Sequence, residues 1–84
     1  MQELYCLKSK DGYYYGFINY MNQENIVLKT KILSQSILYY KHEVKNAKKI
    51  IFNYDNIITY AIDYEIEKDA IEQEAAKKLD TENE

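Results

Sequence analysis

Over about the first 60 residues, apolar and polar side chains alternate with a period of two, as in strands with one face packed and one face open. "ELYCLK", residues 3–8, predicts a first strand, closed by the turn signal "SKDG", in which Gly12 is placed to take a positive φ. "YYYGFINY" follows as a second strand, with Tyr13, Tyr15, Phe17 and Asn19 on one face and Tyr14, Ile18 and Tyr20 on the other. "NIVLKTKI" alternates more cleanly, setting Ile26, Leu28, Thr30 and Ile32 against Val27, Lys29 and Lys31. "SILYYKH" reads as a fourth strand, with Ile37, Tyr39 and Lys41 opposite Leu38, Tyr40 and His42. "AKKIIF" fits a fifth strand or the start of a helix, and periodicity leaves that choice open over residues 46–51. After the turn "NYDN", "IITYAIDYEI" is again rich in β-formers. From about Glu65 the composition changes to helix formers, which predicts a helix over 65–79 with a frayed "DTENE" end.

A glycine in mid-strand costs stability, so Gly16 marks a bend or a close backbone approach. Bent short strands suit a small closed sheet. The expected fold is therefore mainly β: a small Sm/SH3-like barrel, or a strongly bent antiparallel sheet, over residues 1–62, followed by an acidic helical tail over 63–84.

Charge sharpens this division. Residues 1–62 carry eight lysines and five acids (8 − 5 = +3), whereas residues 63–84 carry three lysines and nine acids (3 − 9 = −6). A basic body suits a polyanionic partner, and an acidic tail competes with one. The single cysteine, Cys6, excludes an internal disulfide framework and fits a reducing cytoplasm. No apolar run approaches a membrane span, and the first residues do not read as a signal peptide. The absence of Arg, Pro and Trp beside many Lys, Asn, Ile and Tyr reflects A/T-rich codons, common in low-GC bacteria and their phages. That bias reduces what the ten tyrosines say about base stacking.

Two motifs carry a family resemblance. "GFINYMNQENIVLK" has Gly16, Ile18, Asn22, Gln23, Ile26, Leu28 and Lys29 where the first motif of the Sm-like family, in its bacterial Hfq-type branch, has a glycine, alternating apolar residues, a polar turn and a strand ending in Lys or Asn. "SQSILYYKH" supplies Ser34, Gln35, Tyr40, Lys41 and His42, and resembles the second motif, a Tyr-Lys-His triplet after a Ser-Gln loop. The resemblance covers residues 4–52. It implies a homo-oligomeric ring of small barrels that binds RNA without a cofactor. Tyr40, Lys41 and His42 would line one rim and Tyr20 or Asn22 the other, with Lys29 and Lys31 as further nucleic-acid-binding residues. Ring closure would satisfy the exposed strand edges, and aromatic rings would stack on bases.

Other chemistry finds little support. Cys6 and His42 could be imagined as nucleophile and base, but nothing orients them, and Cys6 sits where a small buried side chain is expected. Two Cys/His residues cannot build a four-ligand zinc site. The tail acids Glu65, Glu67 and Asp69 lack an apolar cleft to raise a pKa, and two glycines cannot form a phosphate loop. Neither an enzyme nor a metal protein is expected. The competing expectation is a small phage or mobile-element inhibitor, such as an anti-CRISPR, that binds a host or defence protein stoichiometrically. Tyr13, Tyr15 and Phe17 would then be its interface patch.

Overall fold

The structure is a computed structural model that describes residues 3–19, 21 and 24–82, with side chains through Lys78. Five strands and two helices follow in the order β1 (Leu4–Lys8), β2 (Tyr14–Asn19), β3 (Asn25–Thr30), β4 (Tyr39–Tyr40), α1 (Lys41–Asp55), β5 (Tyr60–Asp63) and α2 (Tyr64–Glu82). A short 3-10 turn, Leu33–Gln35, precedes β4. All strand pairs are antiparallel, and the sheet is not closed into a barrel.

β1 is the hub. On one edge it pairs with β5, from Tyr5 with Asp63 to Lys8 with Tyr60. The other edge is shared: Leu7 and Lys8 pair with Tyr15 and Tyr14 of β2, while Leu4 and Tyr5 pair with Tyr40 and Tyr39 of β4. β2 therefore leaves β1 after Tyr15 and continues with β3 alone, from Tyr14 opposite Thr30 to Asn19 opposite Asn25. Gly16 stands at the point of departure. A Cβ there would lie 2.7 Å from both Cβ and Cδ1 of Ile37, so the glycine is needed to let the segment before β4 come in beside the departing strand. The Phe17 N–H donates to the Tyr39 hydroxyl at 3.1 Å, and the two rings stack with centroids 6.0 Å apart. Of the bend or close approach expected at Gly16, the close approach is present, made by Ile37, and it accompanies a short strand where the sequence suggested barrel closure. Gly12 takes φ 88° in the β1–β2 turn, as its position predicted.

The largest departure is α1. The alternation in "SILYYKH" predicted a strand through His42, whereas β4 ends at Tyr40 and Lys41 opens a 15-residue helix. The open choice at residues 46–51 resolves as helix, because Val44, Ala47 and Ile51 recur at helical spacing against the sheet. Glu43 fixes the start, its Oε1 accepting the Tyr40 N–H at 2.8 Å, which is one half of a capping box. Asn56 ends it in the left-handed region (φ 57°), donating its N–H to Phe52 O. The fold is accordingly mixed α/β rather than mainly β.

The core lies between α1 and one sheet face, and is built from Leu7, Tyr15, Tyr39, Ala47 and Ile51. α2 starts one residue earlier than expected. Asp63 Oδ1 caps it by accepting the N–H groups of Glu65 and Ile66 at 2.9 and 3.2 Å. The helix continues to Glu82, through residues whose composition suggested fraying.

Candidate nucleic-acid interface

α1 packs on β1, β2, β3 and β4, leaving the β5 side of the same sheet face uncovered. An open groove of about 430 Å³ results, lined by Tyr5, Ala61, Val44, Lys41, Lys45 and Lys48. The lysines stand at i, i+4 and i+7, so the helix turn presents all three on one side. None of them is drawn into an ion pair among the described residues, where Lys8 and Glu67 are paired instead. Their charge is thus uncompensated and faces an apolar floor of Val44 and Ala61. At the head of the helix the exposed Tyr40 and His42 rings lie nearly parallel (6°), with centroids 5.8 Å apart. Tyr5 at the groove donates its hydroxyl to Glu3 at 2.8 Å. That hydrogen bond is the main cause of its raised pKa.

A second basic cluster lies on the β3 side of this face. Lys29, register partner of the core residue Tyr15, places its ammonium 5.1 Å from the Tyr13 ring centroid, and Lys31 lies 5.0 Å from the same centroid. Tyr13 is half-buried beneath them. Of the other residues expected at a protein interface, Tyr15 is a core residue at 5% exposure and Phe17 is half-buried against Tyr39. Both are held by α1 packing, so these three rings do not form an open patch. Tyr20 and Asn22 lie outside the described residues. Lys45, Lys48 and Tyr5 were missed. Their signal is the lysine spacing in "KHEVKNAK", which has meaning only once the segment is known to be helical.

The opposite sheet face is organised around a buried carboxylate. Glu67, in the first turn of α2, accepts hydrogen bonds from Tyr14 Oη at 2.8 Å and Lys8 Nζ at 2.9 Å. Burial pushes the Glu67 carboxyl up, but the Lys8 and Tyr14 hydrogen bonds and the Lys8 charge together hold it below the ordinary range. Burial, followed by the bond to Glu67, drives Tyr14 well above its usual value. Cys6, wholly buried on this face, donates its thiol to Ile62 O at 3.6 Å and is pushed up to about 11, chiefly by burial. Cys6 and His42 are not brought together, since the thiol faces away from α1. Beyond this cluster Ile18, Ile26 and Leu28 are 42%, 44% and 41% exposed.

Among the described residues there is no group of three or more His, Cys, Asp and Glu that could hold a metal ion, and no helix long and apolar enough to cross a membrane. No protein-family model, curated protein or solved structure matches the chain.

Proposed function

We propose that this chain is a non-catalytic binding module for RNA, with the α1 groove as its contact surface. The carrying observation is the comb of Lys41, Lys45 and Lys48, free of acidic partners, beside the exposed Tyr40–His42 ring pair. Lysines spaced along a groove suit a phosphate backbone, and solvent-facing rings offer a stacking platform for an unpaired base. The Sm-like resemblance contributes the chemistry of the Tyr40-Lys41-His42 triplet. Its ring of closed barrels is not carried forward, because this sheet is open.

Fluorescence titration of U-rich and A-rich RNA oligonucleotides at two salt concentrations tests the reading. The Lys45→Ala and Lys48→Ala variants should each weaken binding and flatten the salt slope by about 0.7 per lost phosphate contact. Tyr40→Ala should cost about 1–3 kcal/mol if a base stacks there. No detectable binding by the full chain at low salt ends this reading. A second reading, stoichiometric inhibition of a host or defence protein, is favoured by the apolar strip of Ile18, Ile26 and Leu28, all three of them exposed.

A further inference from the structure

α2 is a 19-residue helix that meets the sheet at β1 and β5, with Glu67 of its first turn as its buried residue among those described. Glu67 is buried at the sheet, whereas every residue from Lys68 to Lys78 is exposed. A helix of this length surrounded by water gains little from propensity, because helical stability in proteins comes mostly from packing. Its charge is also patterned. Glu65, Asp69 and Glu72 recur at i, i+4 and i+7, followed by Ala76 at i+11. At about 100° per residue, all three acids point at least about 140° away from Glu67, and so away from the body. α1 carries the same spacing with opposite charge: Lys41, Lys45 and Lys48, followed by the exposed Phe52 at i+11.

We propose that α2 of one copy docks in the α1 groove of a second copy. Laid parallel, the two helices place Glu65 by Lys41, Asp69 by Lys45 and Glu72 by Lys48, with Phe52 over Ala76. The steps along both helices are about 6 Å and then about 4.5 Å, so the three pairs stay in register. An antiparallel arrangement reverses the order of the steps and loses that match. A chain cannot fill its own groove this way. Glu67 roots α2 on the sheet face of Tyr14 and Lys8, while α1 covers the face of Leu7 and Tyr15. The contact therefore joins two different surfaces, and either closes as a reciprocal pair or propagates. It is carried by charge, with the apolar floor of Val44 and Ala61 and the Phe52–Ala76 contact beneath.

The test is sedimentation velocity on nuclease-treated full-length protein over a concentration series at low and moderate salt. No nucleic acid enters the measurement, so its outcome is independent of RNA binding. The wild type should associate, and more weakly by about tenfold or more at the higher salt, as screened charge pairs require. Reversal of the α2 comb (Glu65→Lys, Asp69→Lys, Glu72→Lys) should give a monomer, as should reversal of the α1 comb (Lys41→Glu, Lys45→Glu, Lys48→Glu). Mixing these two variants should restore association, because each then offers the complement of the other. A control with equal net charge (Asp11→Lys, Asp55→Lys, Glu74→Lys) should associate like the wild type and bind the α1 variant more weakly than the α2 variant does, because only one of the two comb contacts, the α1 variant's unchanged α2 in the control's lysine groove, is then complementary. Circular dichroism establishes that each variant is folded. A monomeric wild type, comb variants that still associate, a folded mixture that stays monomeric, or a control that pairs equally well each overturns the proposal.

Discussion

Removing the Glu67 carboxylate should loosen α2 and destabilise the whole chain in a pH-dependent way. The Glu67 side chain is 10% exposed and its partner Lys8 is 31% exposed. Breaking a fully buried pair costs about 3–5 kcal/mol, because one charge is left without a partner. Here Lys8 can turn to water, so Glu67→Ala is charged mainly with the orphaned, buried Tyr14 hydroxyl, about 1–3 kcal/mol. Glu67→Gln keeps a hydrogen-bond acceptor for Tyr14 and loses the charge, so it should cost less, about 1 kcal/mol. For a chain of 84 residues, each 1 kcal/mol lowers Tm by about 4–8 °C.

The sign with pH follows from linkage. The folded Glu67 carboxyl lies below its ordinary value of 4.5, so its contribution is present above that value. It disappears as pH falls through the folded pKa. Thermal melts of wild type and Glu67→Ala by circular dichroism should differ most at pH 7 and by less once the pH falls below the folded pKa, where the protonated carboxyl still accepts from Tyr14, as Gln would, but no longer carries the charge that Lys8 meets. A Tm difference unchanged between those two conditions, or absent at pH 7, refutes the account of Glu67 as the charged anchor of α2.

Two other measurements probe the fold. Gly16→Ala should destabilise by about 1–3 kcal/mol, since the new methyl overpacks the Ile37 contact; urea denaturation giving equal or higher stability would deny the close approach. Alkylation of Cys6 by iodoacetamide at pH 8 should be slow in the native protein and fast in denaturant, because a buried thiol with a pKa raised to about 11 presents little thiolate; equal rates would show the thiol to be accessible.

What could be read from the sequence was mostly local. Gly12 and Gly16 announced a positive-φ turn and a close approach, because each is a backbone requirement that no other residue meets cheaply. The β3 alternation and the helix-forming run of α2 are likewise visible residue by residue. α1 was hidden for a physical reason. Its cap position is Tyr40, outside the usual Ser, Thr, Asp and Asn set, and "SILYYKH" is apolar at both parities, so a strand period can be read through the helix start. The error propagated to the site. As strand residues, Lys41 and His42 would face opposite sides, and Lys48 would not share a face with Lys41 and Lys45. As helix residues, the three lysines fall on one face. The slot that β4 occupies was also invisible, because it depends on β2 and β4 dividing one edge of β1, a non-local arrangement.

The two open surfaces obey different physics, and that difference makes them separable by experiment. An antiparallel sheet commonly packs one face and wets the other, and the wet face is then expected to be polar. Here the face away from α1 is closed around Cys6, Tyr14 and Glu67 and, over Gly16, by Ile37, while Ile18 opposite Ile26, and Leu28 opposite Gly16, stay apolar and exposed. Contact at that strip removes hydrocarbon from water and depends little on ionic strength. Contact at the α1 groove exchanges lysine charge with an anion, and weakens steeply as salt screens it. The salt dependence of any captured partner therefore reports which face it uses before a residue is mutated. A partner whose affinity is flat between low and moderate salt belongs to Ile18, Ile26 and Leu28, and Leu28→Lys should abolish its binding while Lys45→Ala leaves it unchanged. A partner lost on adding salt belongs to α1, and the two substitutions should then exchange their effects. Equal sensitivity of one partner to both substitutions, with the fold intact, would contradict the division of the molecule into two independent surfaces.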